Sequence, residues 1–332
     1  MKSCNRILIF IFFILFFYSQ LVNGQTIKMG SLVPTGSPWD ISLKKIAAEW
    51  SKISGGKVKL KIYPGGIAGD EGDMIRKMRI GQLDAAAMTG LGLNRIYKGV
   101  VAIQLPLLIQ NDRELEYVLN KMKPFYDKKI EEKGFKVLLW NRAGWAYFFS
   151  KKAIHTLDDM KKQKIFVWEG DADLVQTWKE LGFKPVPLAA TEIMTSLQSG
   201  MIDTLATSPI AAASYQWFGI AKYMSKLNWA PFLGGVIISS KAWNRIKKEY
   251  RDDFINVVEK IGAQMEKNAL EADKKAIAVM KKHGLNILPV SDQVQKDWEI
   301  TVNEGLKRLI GKSIPEDAYE KVKKYLEEYR KK

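Results

Sequence analysis

From Lys241 to Gly284 the chain carries no proline and only one internal glycine, Gly262. A helix of about 40 residues, rising about 1.5 Å per residue, would reach roughly 60 Å, longer than one domain is wide. It must cross two domains or break near Gly262, and either way it ties two halves of the molecule together.

Ahead of that stretch, strand and helix patterns alternate. "TIKMGSLVP" is strand-like, and "SPWDISLKKIAAEWSKISGG" is an amphipathic helix with Ser37 as N-cap and Gly55-Gly56 as stop. "KVKLKIYP" sets Val58, Leu60 and Ile62 inward and lysines outward, a strand covered on one face. The loop "PGGIAGDEG" leads into the helix "DMIRKMRIG", and "QLDAAAMTG", "VVAIQLPLL" and "FKVLLWN" are strand candidates. "DRELEYVLNKMKPFYDKKIEEKG" is helical with a disturbance expected at Pro124. After about residue 144 the alternation resumes with "GWAYFFSKK", with a Thr156–Asp159 capping box and with "KIFVW". This order predicts an α/β architecture with mostly parallel sheets.

The first segment, "MKSCNRILIFIFFILFFYSQLVNGQ", has a basic start, an apolar run from Ile7 to Tyr18 and small residues at a cleavage point. It reads as a cleavable secretory signal over 1–24, and Cys4 precedes the apolar run where a lipidation cysteine would follow it. The expected product is an exported, periplasmic chain without cysteine, so disulfide and thiol chemistry are excluded. Net charge is +16, of which Lys2 and Arg6 contribute +2, leaving +14. The lysines alternate with acids at helical spacing, which predicts solvated helix faces and no nucleic-acid partner.

Motifs for catalysis are missing. The two histidines, His155 and His283, sit in surface-like contexts, and no H-x-x-x-H, G-x-S-x-G or P-loop spacing occurs. The carboxylates of "DEGD" (70–73) cap a helix and need no metal. The sequence thus predicts no enzyme, no cofactor and no metal site. It holds instead ten tryptophans, several of them (Trp140, Trp145, Trp168, Trp217) where strands end. A group of these between two domains would line a ligand cleft. In "KKQKIFVW" a strand would point Phe166 and Trp168 one way and Ile165 and Val167 the other, and only one of these faces is needed for an ordinary core.

The run "IKMGSLVPTGSPWDISLKKIAAEWSKISGGKVKLKIYPGGIAGDEGDMIRKMRIGQLDAAAM", followed by "QLPLLIQNDREL", "TLDDMKKQKIFV" and "TEIMTSLQSGMID", resembles the solute-binding subunit of tripartite ATP-independent periplasmic (TRAP) transporters, the DctP-like family. The resemblance spans nearly the whole mature chain. It implies a two-domain, type II periplasmic-binding-protein fold with a helix bridging both domains. The expected division is 25–143 with 233–273, and 144–232 with 274–332. It also implies a small-molecule ligand in the cleft, delivery to a membrane permease and, in some systems, a tetratricopeptide-repeat partner.

Family members that bind organic acids carry an arginine in the strand after the segment corresponding to Asp158–Lys164, and that position falls here on Phe166. A second arginine that often follows "GW" falls near Ala146, and Arg142 lies too early in the chain to replace it. Polar positions of the family correspond to Leu32, to Met88 or Thr89, and to Thr207, while Glu71 keeps a carboxylate. The residues expected at the ligand are therefore Leu32, Trp39, Glu71, Met88, Thr89, Trp145, Ala146, Phe166, Trp168, Thr207 and Trp217. A carboxylate set against Phe166 would be desolvated without a partner. The expectation is an apolar or amphipathic, uncharged solute. The alternatives are a protein-interaction or sensory use of the fold, or an organic acid held by a non-standard cation.

Overall fold

A computed structural model describes residues 24–332, so most of the expected signal segment, Cys4 included, lies outside the described residues. The first lobe begins with β1 (Gln25–Ser31), α1 (Pro38–Ile53), β2 (Val58–Tyr63), α2 (Glu71–Arg79) and β3 (Ala85–Thr89), and β1 pairs in parallel with both β2 and β3. The Ser37 hydroxyl accepts from Asp40 N at 3.2 Å, with proline at the next position, so α1 starts where the capping pattern says. Asp70 and Asp73 close a capping box at α2.

A short α3 (Gly90–Asn94), a 3-10 turn over Lys98–Gln104, α4 (Asp112–Glu131) and β4 (Phe135–Ser150) follow. The expected strand "VVAIQLPLL" is therefore corrected: its first half is the turn, with Val100, Ala102 and Ile103 fully buried. A short apolar run has no periodicity to separate strand from buried helix. The expected disturbance at Pro124 is also corrected. α4 runs through it unbroken, because Pro124 lies on the exposed side, where water replaces the missing donor.

The second lobe contains α5 (Leu157–Lys162), β5 (Lys164–Trp168), α6 (Ala172–Glu180), β6 (Lys184–Leu188), α7 (Ile193–Ser199), β7 (Thr204–Thr207), α8 (Pro209–Ser214) and β8 (Tyr223–Ser225). The chain then returns through β9 (Ala230–Ser239), α9 (Ser240–Arg245), the long α10 (Lys248–Lys282), β10 (Asn286–Leu288), α11 (Asp292–Leu309) and α12 (Glu316–Arg330). The main strand order is β2-β1-β3-β9-β4-β7-β5-β6.

"FKVLLWN" and "GWAYFFSKK", read separately above, are one strand. β4 pairs antiparallel with β9 through Ala146 and then with β7 from Tyr147 onward, passing from one lobe into the other. Its register slips between Arg142 and Trp145, where Gly144 takes a φ of 86°. The parallel strands are thus joined by an antiparallel crossing pair.

α10 is the bridge. Its 35 residues reach about 52 Å. Near one end Phe254 stacks on Trp50 of α1, with ring centroids 4.3 Å apart, and its carbonyl accepts from Trp50 Nε1 at 3.2 Å. Near the other end Met280 is fully buried in the second lobe's core beside Ile193 and Leu197. The break falls before Lys248 and not at Gly262, whose missing side chain lets α10 lie directly on Leu139 of β4.

The assignment of all of 274–332 to the second lobe is corrected at its end. α12 packs Val322 and Leu326 against Leu115 and Val118 of α4, and Arg330 Nε donates to Glu114 Oε1 at 2.9 Å. Its apolar stripe covers the outer face of the first lobe.

Candidate functional site

The carboxyl ends of the strands converge on one cavity between the lobes. Leu32 follows β1, Met88 and Thr89 end β3, Phe166 and Trp168 end β5, and Thr207 ends β7. Open α/β sheets place ligand crevices at these ends, because the polypeptide leaves the sheet there as loops and helix N-termini. Trp39, in the first turn of α1, and Trp217 add to the aromatic part of the wall, and Glu71, the first residue of α2, is its one carboxylic acid among the described residues. The cavity encloses about 120 Å³.

Nine of the eleven expected residues therefore share one wall. The other two do not and are corrected. Trp145 is buried in the first lobe's core and donates its indole Nε1–H to Asp112 Oδ1 at 3.0 Å, and Ala146 points to the opposite side of the crossing strands. Alternation explains this. On β4, Leu139, Asn141 and Ala143 face the cavity, and the slip at Gly144 carries the following residues away from it.

Among the described residues, no lysine, arginine or histidine walls the cavity. Arg142 turns instead to α10, where its guanidinium meets Glu266 at 3.2 Å, and to α4, where it meets Glu116 at 3.4 Å. His155 and His283 are exposed. Phe166 is buried with its ring edge-on to Trp168, centroids 5.6 Å apart.

Glu71 is fully buried. Its Oε1 accepts from Thr89 N at 2.5 Å and its Oε2 accepts from the Thr89 hydroxyl at 2.9 Å. Burial is the dominant influence and pushes its carboxyl up to about 8, while the two bonds from Thr89 oppose the shift. The group is thus neutral near pH 7. Gly92 makes the space, since a side chain there would overlap the Glu71 carboxyl.

Several wall residues escaped the sequence reading. Asn141 is buried, and its Oδ1 has no hydrogen-bond partner. Tyr215 stacks on Trp217, with centroids 4.4 Å apart, and burial raises its phenol well above the usual tyrosine range. Gly234 and Gly235 of β9 form a flat stretch of floor. The alternation of β4, with Leu139 and Ala143 on the same face, was the signal in the sequence for Asn141.

The lobes touch across the mouth. The Tyr215 hydroxyl donates to Leu32 O at 2.6 Å, Ala190 N donates to Asp70 Oδ1 at 3.3 Å, and Arg95 Nη2 donates to Glu169 O at 2.8 Å. Two α/β lobes closed over a buried cavity, with crossing strands and one bridging helix, define a solute-binding protein of the periplasmic type.

The chain belongs to the DctP family, described as bacterial extracellular solute-binding protein, family 7, which matches residues 29–312; it is a TRAP-type solute-binding protein and not an enzyme. A solute-binding protein of Albidiferax ferrireducens is 26% identical over 291 residues, covering 85% of this chain and 82% of that one. The 2,3-diketo-L-gulonate-binding periplasmic protein of Escherichia coli is 22% identical, covering 91% and 92%. Among solved structures, the sugar acid binding protein of Advenella mimigardefordensis in complex with galactonate superposes with a TM-score of 0.86 at 19% identity, covering 92% of this chain and 99% of that one. A TRAP periplasmic solute-binding protein of Xanthobacter autotrophicus with bound β-D-galacturonate gives 0.83 at 19%, covering 90% and 99%.

Proposed function

We propose that this chain is a TRAP-type receptor for an uncharged, largely apolar solute with a hydrogen-bonding end, and that it hands this solute to a membrane permease. The observation that carries the reading is the wall itself: its one carboxyl group, Glu71, is already bonded to Thr89, and among the described residues it has no cation. A sugar acid like those bound by the relatives would bring a carboxylate against Phe166, losing hydration worth several kcal/mol without a charged partner. An apolar surface gains on the order of 25 cal/mol for each Å² it buries there. The Asn141 amide nitrogen and the Thr207 hydroxyl supply donors and an acceptor for a carbonyl or hydroxyl. Export by a cleaved signal and shielding of such a solute by a tetratricopeptide-repeat protein belong to the same proposal.

The relatives' ligands motivate a second reading, in which a small carboxylate is held by the Asn141 amide and the Thr207 hydroxyl. Solvent extraction of freshly purified protein, with native mass spectrometry, separates the two. A neutral compound bound one to one supports the first reading. A sugar acid or dicarboxylate in the extract overturns it.

A further inference from the structure

The closed cavity is small. Its 120 Å³ falls below the roughly 150 Å³ of a buried apolar cavity that binds benzene, so an apolar body inside it is limited to about one small ring or a five-carbon chain. Across the mouth the lobes are already joined, by Tyr215 to Leu32, Ala190 to Asp70 and Arg95 to Glu169. A larger solute has to leave the cavity elsewhere. A groove of about 510 Å³ between α1 and α10 supplies the room. Trp39 of α1, Asn141 and Ala143 of β4 and Met265 of α10 line both the groove and the cavity. Because these four come from three separate elements, they frame a neck between the two spaces and not a single partition. The helices touch where Trp50 stacks on Phe254, and the groove lies beyond that contact, where Ala269 and Ala272 leave room.

The groove differs from the cavity in chemistry. Ser42, Gln264 and Asn268 line it with neutral polar groups, and Lys45, Lys260 and Glu49 give it charges of both signs. Gln264 Nε2 donates to Asn268 Oδ1 at 3.1 Å, an i,i+4 pair on the exposed side of α10. That bond leaves Gln264 Oε1 to accept and Asn268 Nδ2 to donate. A hydroxyl or an amide answers both at once. An ionised group answers one of them and meets a like charge among the same lining residues.

We infer that the ligand site continues through this neck, and that the solute is an elongated neutral amphiphile with a small apolar body in the cavity and a hydroxylated or amide head in the groove, on Gln264 and Asn268. The inference rests on the apolar reading of the cavity and adds what lies beyond it. The link between body and head passes the Asn141 amide at the neck. Burial of the body drives binding, while the head keeps water on the outer side of the groove and so loses little hydration.

Pentyl β-D-glucoside, pentan-1-ol and glucose, titrated calorimetrically into the full chain after its bound solute has been extracted, test this. The glucoside should bind about tenfold more tightly than pentanol, the gain of two net hydrogen bonds, and glucose should give no measurable binding. In the double variant Gln264→Leu with Asn268→Leu the ratio of the two affinities should fall to about one. Both positions are exposed and leucine is a good helix former, so α10 persists, and the ratio within each protein cancels any general loss of binding. A glucoside no tighter than pentanol in the parent chain, or an advantage undiminished in the double variant, overturns the inference and leaves the apolar reading of the cavity standing. Failure of both pentyl compounds to bind, or glucose binding as tightly as the glucoside, overturns that reading and the inference with it.

Discussion

The hydroxyl of Tyr215, on the second lobe, donates to the backbone carbonyl of Leu32, on the first, at 2.6 Å. Tyr215 is held for this by its stacking on Trp217, so one side chain both walls the cavity and joins its two halves. Tyr215→Phe keeps the ring and removes the bond. Closure should lose about 1 kcal/mol, so the solute should bind roughly fivefold more weakly, through faster dissociation. Stopped-flow tryptophan fluorescence reads the rate, and an unchanged dissociation rate would mean that this bond does not hold the closed form.

Glu71 gives the fold a pH dependence of definite sign. Its carboxyl is raised from 4.5 to about 8, so between those values the folded chain holds a proton that the unfolded chain has released. Stability from this group is full below about 4.5 and falls as pH rises towards 8. The difference amounts to roughly 5 kcal/mol at most. Glu71→Gln is neutral throughout and should flatten that slope. Urea unfolding of both proteins from pH 5 to 9 checks it, the other carboxylates cancelling in the comparison. Parallel pH profiles would show that Glu71 ionises without penalty.

Gly144 sits where β4 passes from lobe to lobe, with a φ of 86° and with the Asp273 carboxylate where a side chain would go. Asp273, on α10, also accepts from Ile210 N at 3.1 Å, and burial lifts its carboxyl to about 7. Gly144→Ala combines a left-handed backbone with this collision and should cost about 2 kcal/mol or more. In a double-mutant cycle Asp273→Ala should recover part of the loss. Additive effects would place the strain in the backbone alone.

Much of this architecture was legible in the sequence because local signals agreed. Ser37, Thr156 and the Asp70–Asp73 box each start a helix through a capping oxygen that needs no tertiary help. The absence of helix breakers after Lys248 made α10 readable as a bridge. The crossing strand was not, because Gly144 is both a local stop signal and, in three dimensions, the hinge of one continuous strand. "VVAIQLPLL" failed for want of periodicity, and α12 returned to the first lobe through partners some 200 residues away in sequence, which no local pattern encodes. Within the cavity, strand ends were placed well by register. Tyr215 and the glycines of β9 act through what they approach, and that is visible only once the lobes are assembled.

Phe166 offers the most direct test of what the cleft accepts. A buried guanidinium at this position would lie in a wall whose one carboxyl group, Glu71, is already bonded to Thr89, so Phe166→Arg should lower Tm in the absence of ligand. An acid such as galactonate would then find the bidentate partner that phenylalanine cannot offer. Ligand at a hundredfold excess over Kd contributes about 2.7 kcal/mol to the folded state, enough to raise Tm by several degrees. The expected pattern is a galactonate-dependent rise in the Phe166→Arg protein and none in the parent chain. An equal rise in both proteins would place the carboxylate elsewhere in the cavity. The uncharged wall at Phe166 would then have no bearing on the choice of solute.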